Sequence, residues 1–153
     1  METIGGHALI TGGGTGIGRA IAQALTAQGC VVTLVGRSEA PLAALAGALS
    51  GAGYVVCDVT RDADVVAAVA EAQNERGPIR ILVNNAGAVA SVSFEKTSLE
   101  AWSASLDVNL LGAVRMIKAA LPSLRTQPSG RIINIASTAG LKPYAYVLSL
   151  IHI

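Results

Sequence analysis

Thr11-Gly12-Gly13-Gly14-Thr15-Gly16-Ile17-Gly18 is the stretch of this chain whose residue types and spacing most directly specify a chemistry, and that chemistry is anion binding. Glycine lets the backbone turn sharply and lets a pyrophosphate approach without meeting a Cβ. The first N–H groups and the dipole of a following helix then face the negative charge. A purely structural turn is the competing reading, and the flanking elements decide between the two. Further polar residues close other apolar runs: Arg37, Asp58, Asn84-Asn85-Ala86-Gly87 and Ser137, with Asn109 set among apolar neighbours.

The elements that must position these residues follow from periodicity. His7-Ala8-Leu9-Ile10 reads as a short buried strand, and Ile17, Ala20, Ile21, Ala24 and Leu25 give a helix with one apolar stripe. That strand–turn–helix context favours nucleotide binding over a bare turn. Gly29 ends the helix, and Cys30 to Val35 is a second strand. Pro41 opens a helix with Leu42, Leu45 and Leu49, closed by Gly51-Ala52-Gly53. Tyr54 to Cys57 is a third strand, followed by a helix from Asp62 with Val65, Val66, Val69 and Ala72 on its inner face.

Ile79 to Val83 is a fourth strand. A long helix runs from Ser98 to Leu124, with Trp102, Leu106, Leu110, Ala113, Ile117 and Leu121 at helical spacing, and Arg131 to Ala136 is a fifth strand. Strands and helices alternating in this way predict an α/β fold with right-handed crossovers and a doubly wound parallel sheet covered on both faces. In such sheets ligands bind outside the carboxyl ends of the strands, where Thr11 to Gly18, Arg37, Asp58 and Asn84 to Gly87 fall.

Composition narrows the classes of function. The 153 residues have room for one domain, 52% are hydrophobic and 14% charged, and the formal net charge is +1. No basic stripe supports a nucleic-acid partner. The longest apolar runs are strand-length and broken, so no membrane span is expected, and the start of the chain leaves no room for a secretory signal. A soluble, cytoplasmic protein is the expectation. Cys30 and Cys57 lack CxxC spacing and nearby histidines, and read as buried free thiols rather than a disulfide or metal site.

Thr11-Gly-x-x-x-Gly16-x-Gly18, Asp58-Val59, Asn84-Asn85-Ala86-Gly87, Asn109 and Ser137 together resemble, in order and separation, the motifs of the short-chain dehydrogenase/reductase family. The resemblance covers residues 1 to 147. It implies a three-layer domain of Rossmann type and hydride transfer between a nicotinamide cofactor and a small-molecule ketone or secondary alcohol. By resemblance Gly12, Thr15, Gly16, Ile17 and Gly18 line the pyrophosphate turn. Asp58 accepts from the adenine amino group beside Val59, and Asn85, Ala86 and Gly87 pass along the adenosine ribose. Asn84 is read as a hydrogen-bonding residue between strands. Ser137 is implied to hydrogen-bond the substrate carbonyl, and Asn109 to kink the long helix and hold a water of a proton relay. A solvated residue at the start of a helix is the competing reading of Asp58, and a plain turn residue that of Ser137. Members of the family commonly pair through the long helix, so a homo-oligomer through residues 98 to 124 is implied.

Cofactor choice has a physical basis. An acidic residue at the end of the second strand normally holds the ribose 2′-hydroxyl of NAD, and here Val35-Gly36 is followed by Arg37. With no carboxylate to repel a 2′-phosphate and a guanidinium to hold it, NADP(H) is favoured over NAD(H). Stacking on adenine and pointing to solvent are the other roles open to Arg37.

The chain departs from the family at its end. Where the family carries the Tyr of a Tyr-x-x-x-Lys pair, position 150 is Leu150; Tyr144 and Tyr146 lie too close to Ser137 and have no Lys at that spacing. The fold is therefore expected to be truncated after the fifth strand, leaving that strand's edge and one face of the long helix uncovered, with poor expression or aggregation as the result. Leu148-Ser149-Leu150-Ile151-His152-Ile153 is also the translation of CTG-TCT-CTT-ATA-CAC-ATC, a transposase end sequence used in sequencing libraries. Residues 148–153 are accordingly expected to be a non-native tail after an incomplete domain of residues 1–147. A natural terminus, with His152 as a replacement acid, is the alternative. A non-catalytic, nucleotide-binding regulatory module is the competing functional reading.

Overall fold

The computed structural model describes residues 4–89 and 92–138. Five parallel strands form one sheet: β1 (His7–Thr11), β2 (Val31–Gly36), β3 (Gly53–Val56), β4 (Ile79–Asn84) and β5 (Arg131–Asn134), in the order β3-β2-β1-β4-β5. Between them run α1 (Gly16–Ala27), α2 (Glu39–Ala48) and α3 (Asp62–Arg76). A long helical segment leads to β5, built from α4 (Leu99–Leu106), a π turn (Asp107–Leu111) and α5 (Gly112–Thr126). β1 is central, with His7–Thr11 in register with Val31–Val35 on one side, and Ala8–Ile10 with Ile81–Val83 on the other. The chain thus has the doubly wound parallel sheet its alternation predicts and the three-layer Rossmann-type fold its resemblance implies.

Strand alternation distributes the core over both faces of the sheet. Leu9, Val35, Val55 and Leu82 pack with Val65, Val69, Met116 and Ala120 on the α3/α5 side. Ala8, Ile10, Val32, Leu34 and Val83 pack with Ala22, Leu42 and Leu45 on the α1/α2 side. Both cysteines are buried and free.

Three helical faces differ from those expected. In α1 the buried positions are Gly18 and Ala22, with Ile21 and Leu25 half-buried, whereas Ile17 is 62% exposed and Ala20 and Ala24 face solvent. Gly18 takes the inner position because its backbone lies against Gly12, and a side chain there would collide with it. In α3 the small residue Ala68, not Val66, joins Val65, Val69 and Ala72 on the inner face, and Val66 is 63% exposed. In the long helix Leu106 and Leu110 are exposed, and the buried positions are Gly112, Met116, Ala120, Ser123 and Leu124. Close approach of helix to sheet selects small side chains, so a stripe drawn through the large apolar residues falls on the wrong face. α2 starts at Glu39, two residues before Pro41, which still sits in the first turn where no backbone donor is needed.

Ser123 docks α5 on the sheet: its Oγ accepts from the Ile79 N–H at 2.7 Å. Asn84 links β4 to β5, with Nδ2 donating to Asn134 Oδ1 at 2.9 Å, in agreement with its reading as an inter-strand residue. On β5, Ile132 and Ile133 are about two-fifths exposed, and its outer edge carries no further strand among the described residues. Position 150, Tyr144, Tyr146, His152 and the expected tail 148–153 lie outside the described residues, as does the domain boundary at Val147.

Candidate active site

The loops after β1 and β4 are joined before any ligand is considered. Thr11, the last residue of β1, is 2% exposed; its Oγ1 accepts from the N–H groups of Asn85 and Ala86 at 3.0 and 2.9 Å, and donates to the Val83 carbonyl at 3.4 Å. Asn85 returns the connection, with Nδ2 donating to the carbonyls of Thr11 and Gly12 at 3.1 and 3.2 Å. From its place in the sequence Thr11 reads only as part of the turn. A hydroxyl at the end of a central strand beside two asparagines was the available signal.

The glycine turn is shaped by contact. Gly12 has φ +62°, and a Cβ on it would lie 2.9 Å from Asn85 Nδ2; a Cβ on Gly18 would lie 2.2 Å from the Gly12 carbonyl oxygen. The start of α1 is therefore pressed onto the end of β1 as only glycine allows. Thr15 precedes α1 without a side-chain capping bond, and the first turn of α1 contains no acidic residue. The helix start keeps donors and positive dipole for an anion. Thr15, Gly16 and Ile17 are exposed there.

Gly12, Arg37, Asp58, Val59, Ala86 and Gly87 come together around a cavity of about 130 Å3, completed by Cys57 and Val108. Asp58 is not the cap of α3, which is Arg61. Its Oδ1 instead accepts from the Thr60 N–H at 3.0 Å and from the Thr60 hydroxyl at 2.8 Å. These two bonds, then the charges of Arg37 and Arg61, hold its carboxyl below the usual range, so it is an anionic acceptor at neutral pH. Burial pushes the Cys57 thiol up to about 11, with Asp64 and Asp58 adding to the effect, so it forms a neutral wall.

A second cavity, of about 480 Å3, adjoins the first and shares Ala86 and Gly87 with it. Asn85, Asn109, Asn134 and Ser137 supply its polar lining, and Leu110, Val114, Ile117 and Ile135 much of the apolar remainder. Asn109 sits in the π turn. Its Oδ1 accepts from the Ala88 N–H at 2.9 Å, and its Nδ2 donates to the Ala88 carbonyl at 2.8 Å and to Ser105 Oγ at 3.2 Å. The helix is thus interrupted where Asn109 clamps the loop after β4. Ser137 follows β5 and is half-buried in the same cavity.

A glycine cradle that a Cβ would fill, a helix start lacking acidic side chains, and an anionic acceptor across the cavity form a chemical surface suited to a nicotinamide dinucleotide. The fold and this turn define a dinucleotide-binding protein of Rossmann type. The short chain dehydrogenase family matches residues 6–149. An uncharacterized oxidoreductase of Staphylococcus saprophyticus is 41% identical over 140 residues, 88% of this chain and 60% of that protein. Ketoacyl reductase HetN of Nostoc is 38% identical over 151 residues, 95% of this chain and 53% of that protein.

Among solved structures, actinorhodin polyketide ketoreductase with NADPH superposes with TM-score 0.91 at 32% identity, over 95% of this chain and 58% of that one. An NADPH-bound short chain oxidoreductase of Pseudomonas aeruginosa with an atypical catalytic center gives 0.90 at 29%, over 94% and 58%. The chain belongs to the short-chain dehydrogenase family of oxidoreductases, and it spans about 60% of the length of the first of these relatives. Among the described residues no helix is long and apolar enough to cross a membrane.

Proposed function

We propose that this chain is the nucleotide-binding part of an oxidoreductase that moves hydride between NADP(H) and a ketone or secondary alcohol. The observation that carries the proposal is the small cavity, lined by Arg37, which follows β2 where that strand ends on Val35-Gly36 and not on an acidic residue, by Asp58, which follows β3, and by Gly12. The two NADPH-bound ketoreductase and oxidoreductase structures it resembles support the same reading.

In this reading Gly12, Thr15, Gly16, Ile17 and Gly18 hold the pyrophosphate through backbone donors, and Arg37 holds the 2′-phosphate as a planar, permanently charged donor. Asp58 accepts from the adenine amino group beside Val59, while Asn85, Ala86 and Gly87 border the ribose. The bound nicotinamide supplies the hydride chemistry. Ser137 donates to the substrate oxygen, where negative charge develops on reduction, and Asn109 orders a proton path along the β4 loop. With Leu150 where the family carries Tyr, the 153-residue chain is expected to bind nucleotide without turnover. The exposed Leu106 and Leu111, outside both cavities, support pairing of the parent enzyme through the 98–124 helix, and a cytoplasmic setting fits a nicotinamide enzyme.

The test is a titration of NADPH and NADH against wild type and Arg37→Asp, followed by fluorescence. Arg37→Asp is expected to weaken NADPH by about tenfold or more while leaving or improving NADH. Unchanged NADPH affinity in that variant removes the 2′-phosphate assignment.

A further inference from the structure

We propose that Arg115 is a positioning residue that holds the Asn109 turn and the Val59 wall of the small cavity in one arrangement. It stands on α5, outside both cavities, yet its guanidinium reaches both of the loops that shape them. Nη1 lies 2.7 Å from Asp107 Oδ1, and it donates to the Asp107 carbonyl at 3.4 Å and the Val59 carbonyl at 3.5 Å. Nε donates to Asp62 Oδ1 at 2.7 Å at the start of α3.

The Asp107 carbonyl also accepts the Gly112 N–H, the bond that closes the π turn. Arg115 therefore grips the turn at its defining acceptor, and that turn presents Asn109 to Ala88. On the other side a Cβ on Gly112 would lie 2.8 Å from Val59 Cγ2, so the start of α5 touches Val59 directly. Val59, Arg115, Asp107, Asn109 and Ala88 thus form one physical chain from the adenine side of the site to the Ser137 side. Three of the contacts are made by Nη1 and one by Nε, so the guanidinium spans the turn, the Val59 loop and the start of α3 at once. Asp62 is 86% exposed, so its ion pair is the dispensable part.

The inference rests on the nucleotide-binding reading in only one of its two measurements. Amide hydrogen exchange on the full 153-residue chain reports the clamp without ligand. In Arg115→Met the Ala88 amide is expected to exchange about tenfold faster while the β1 amides keep their protection. Arg115→Lys is expected to fall between, and Asp62→Asn to match wild type. NADPH titration is the second measurement, with Arg115→Met expected to bind about five- to tenfold more weakly than wild type.

Should Arg115→Met fail to fold, Asp107→Asn removes the charge of the partner and keeps its shape, with the same rise expected at Ala88. A folded Arg115→Met with wild-type exchange at Ala88 overturns the proposal, as does a loss of protection spread evenly over β1. Absence of NADPH binding in wild type defeats the functional reading alone, and the Ala88 exchange still decides the role of Arg115.

Discussion

The Thr11 hydroxyl accepts the Ala86 N–H at 2.9 Å, so the loops leaving β1 and β4 share one buried hydrogen-bonding centre. Two backbone donors and one carbonyl meet there, and neither cavity wall can move without the other. Replacing Thr11 by Val leaves two amides without their acceptor. The expected cost is about 1–3 kcal/mol, or roughly 3–10 °C in melting temperature. Thr11→Ser keeps the oxygen and should lose much less, which thermal melts of the two variants will compare.

Gly18 and Gly47 make opposite predictions from the same substitution. A Cβ at Gly18 meets the Gly12 carbonyl oxygen at 2.2 Å, backbone against backbone, whereas none of the surroundings of Gly47 comes within 4 Å. Gly18→Ala is expected to destabilise by about 1–3 kcal/mol and to open the turn, weakening NADPH binding beyond detection at micromolar concentrations. Gly47→Ala, in the exposed last turn of α2, should stabilise by about 0.5 kcal/mol. Urea titrations read both.

His7 sets a pH dependence at the far end of the sheet from the site. It is 2% exposed; Nδ1 donates to the Gly77 carbonyl at 2.8 Å, which leaves Nε2 to accept from the Thr33 hydroxyl at 2.8 Å. Burial, with a smaller contribution from Arg76, lowers its pKa in the folded chain below 6.5. The unfolded chain then takes up a proton that the folded chain refuses, so stability is full above about pH 6.5 and falls as pH drops below it. The expected slope approaches 1.4 kcal/mol per pH unit in that window. His7→Gln should flatten it, as urea titrations between pH 5 and 8 will measure.

Cys57 is expected to be inert although it borders the small cavity. Its thiol is pushed up to about 11 from 9.0, which lowers the thiolate fraction near pH 8 by about a hundredfold. Burial at 2% exposure slows it further. Labelling by a thiol reagent should therefore track global unfolding and accelerate sharply in denaturant. Fast labelling of Cys57 in buffer, located by peptide mapping, contradicts the packing described.

The elements were legible in the sequence where one physical rule dominates. β-branched runs between glycine-rich turns located all five strands to within two residues, and their alternation with helices specified a parallel sheet. Helix faces were less legible, because α1, α3 and α5 bury Gly18, Ala68 and Gly112, small residues that carry little hydrophobic signal. Ile17, Val66 and Leu110 carry that signal and face outward.

The same limit applies to the site. Residues at strand ends, such as Arg37, Asp58 and Asn85, are visible because turn chemistry marks them. Thr11 and Arg115 act through long-range bonds, spanning 75 positions in one case and 56 in the other, which no local pattern encodes.

The π turn at Asp107–Leu111 also makes the length of the long helix an adjustable quantity. A π turn is an α-helix with one residue too many, and each residue of an α-helix rotates the next by about 100°. Deleting a single residue from this turn would let regular helix close over the gap. Because the wide turn absorbs the extra residue, Met116 and Ala120 would then keep nearly their present facing relative to Trp102, and the Asn109 clamp on Ala88 is what would be lost. An alanine scan leaves residue count untouched and cannot detect this tolerance, whereas in a one-residue deletion scan deletions at 107 to 111 should keep soluble protein and deletions at 113 to 119, which rotate the rest of α5 by about 100°, should lose it.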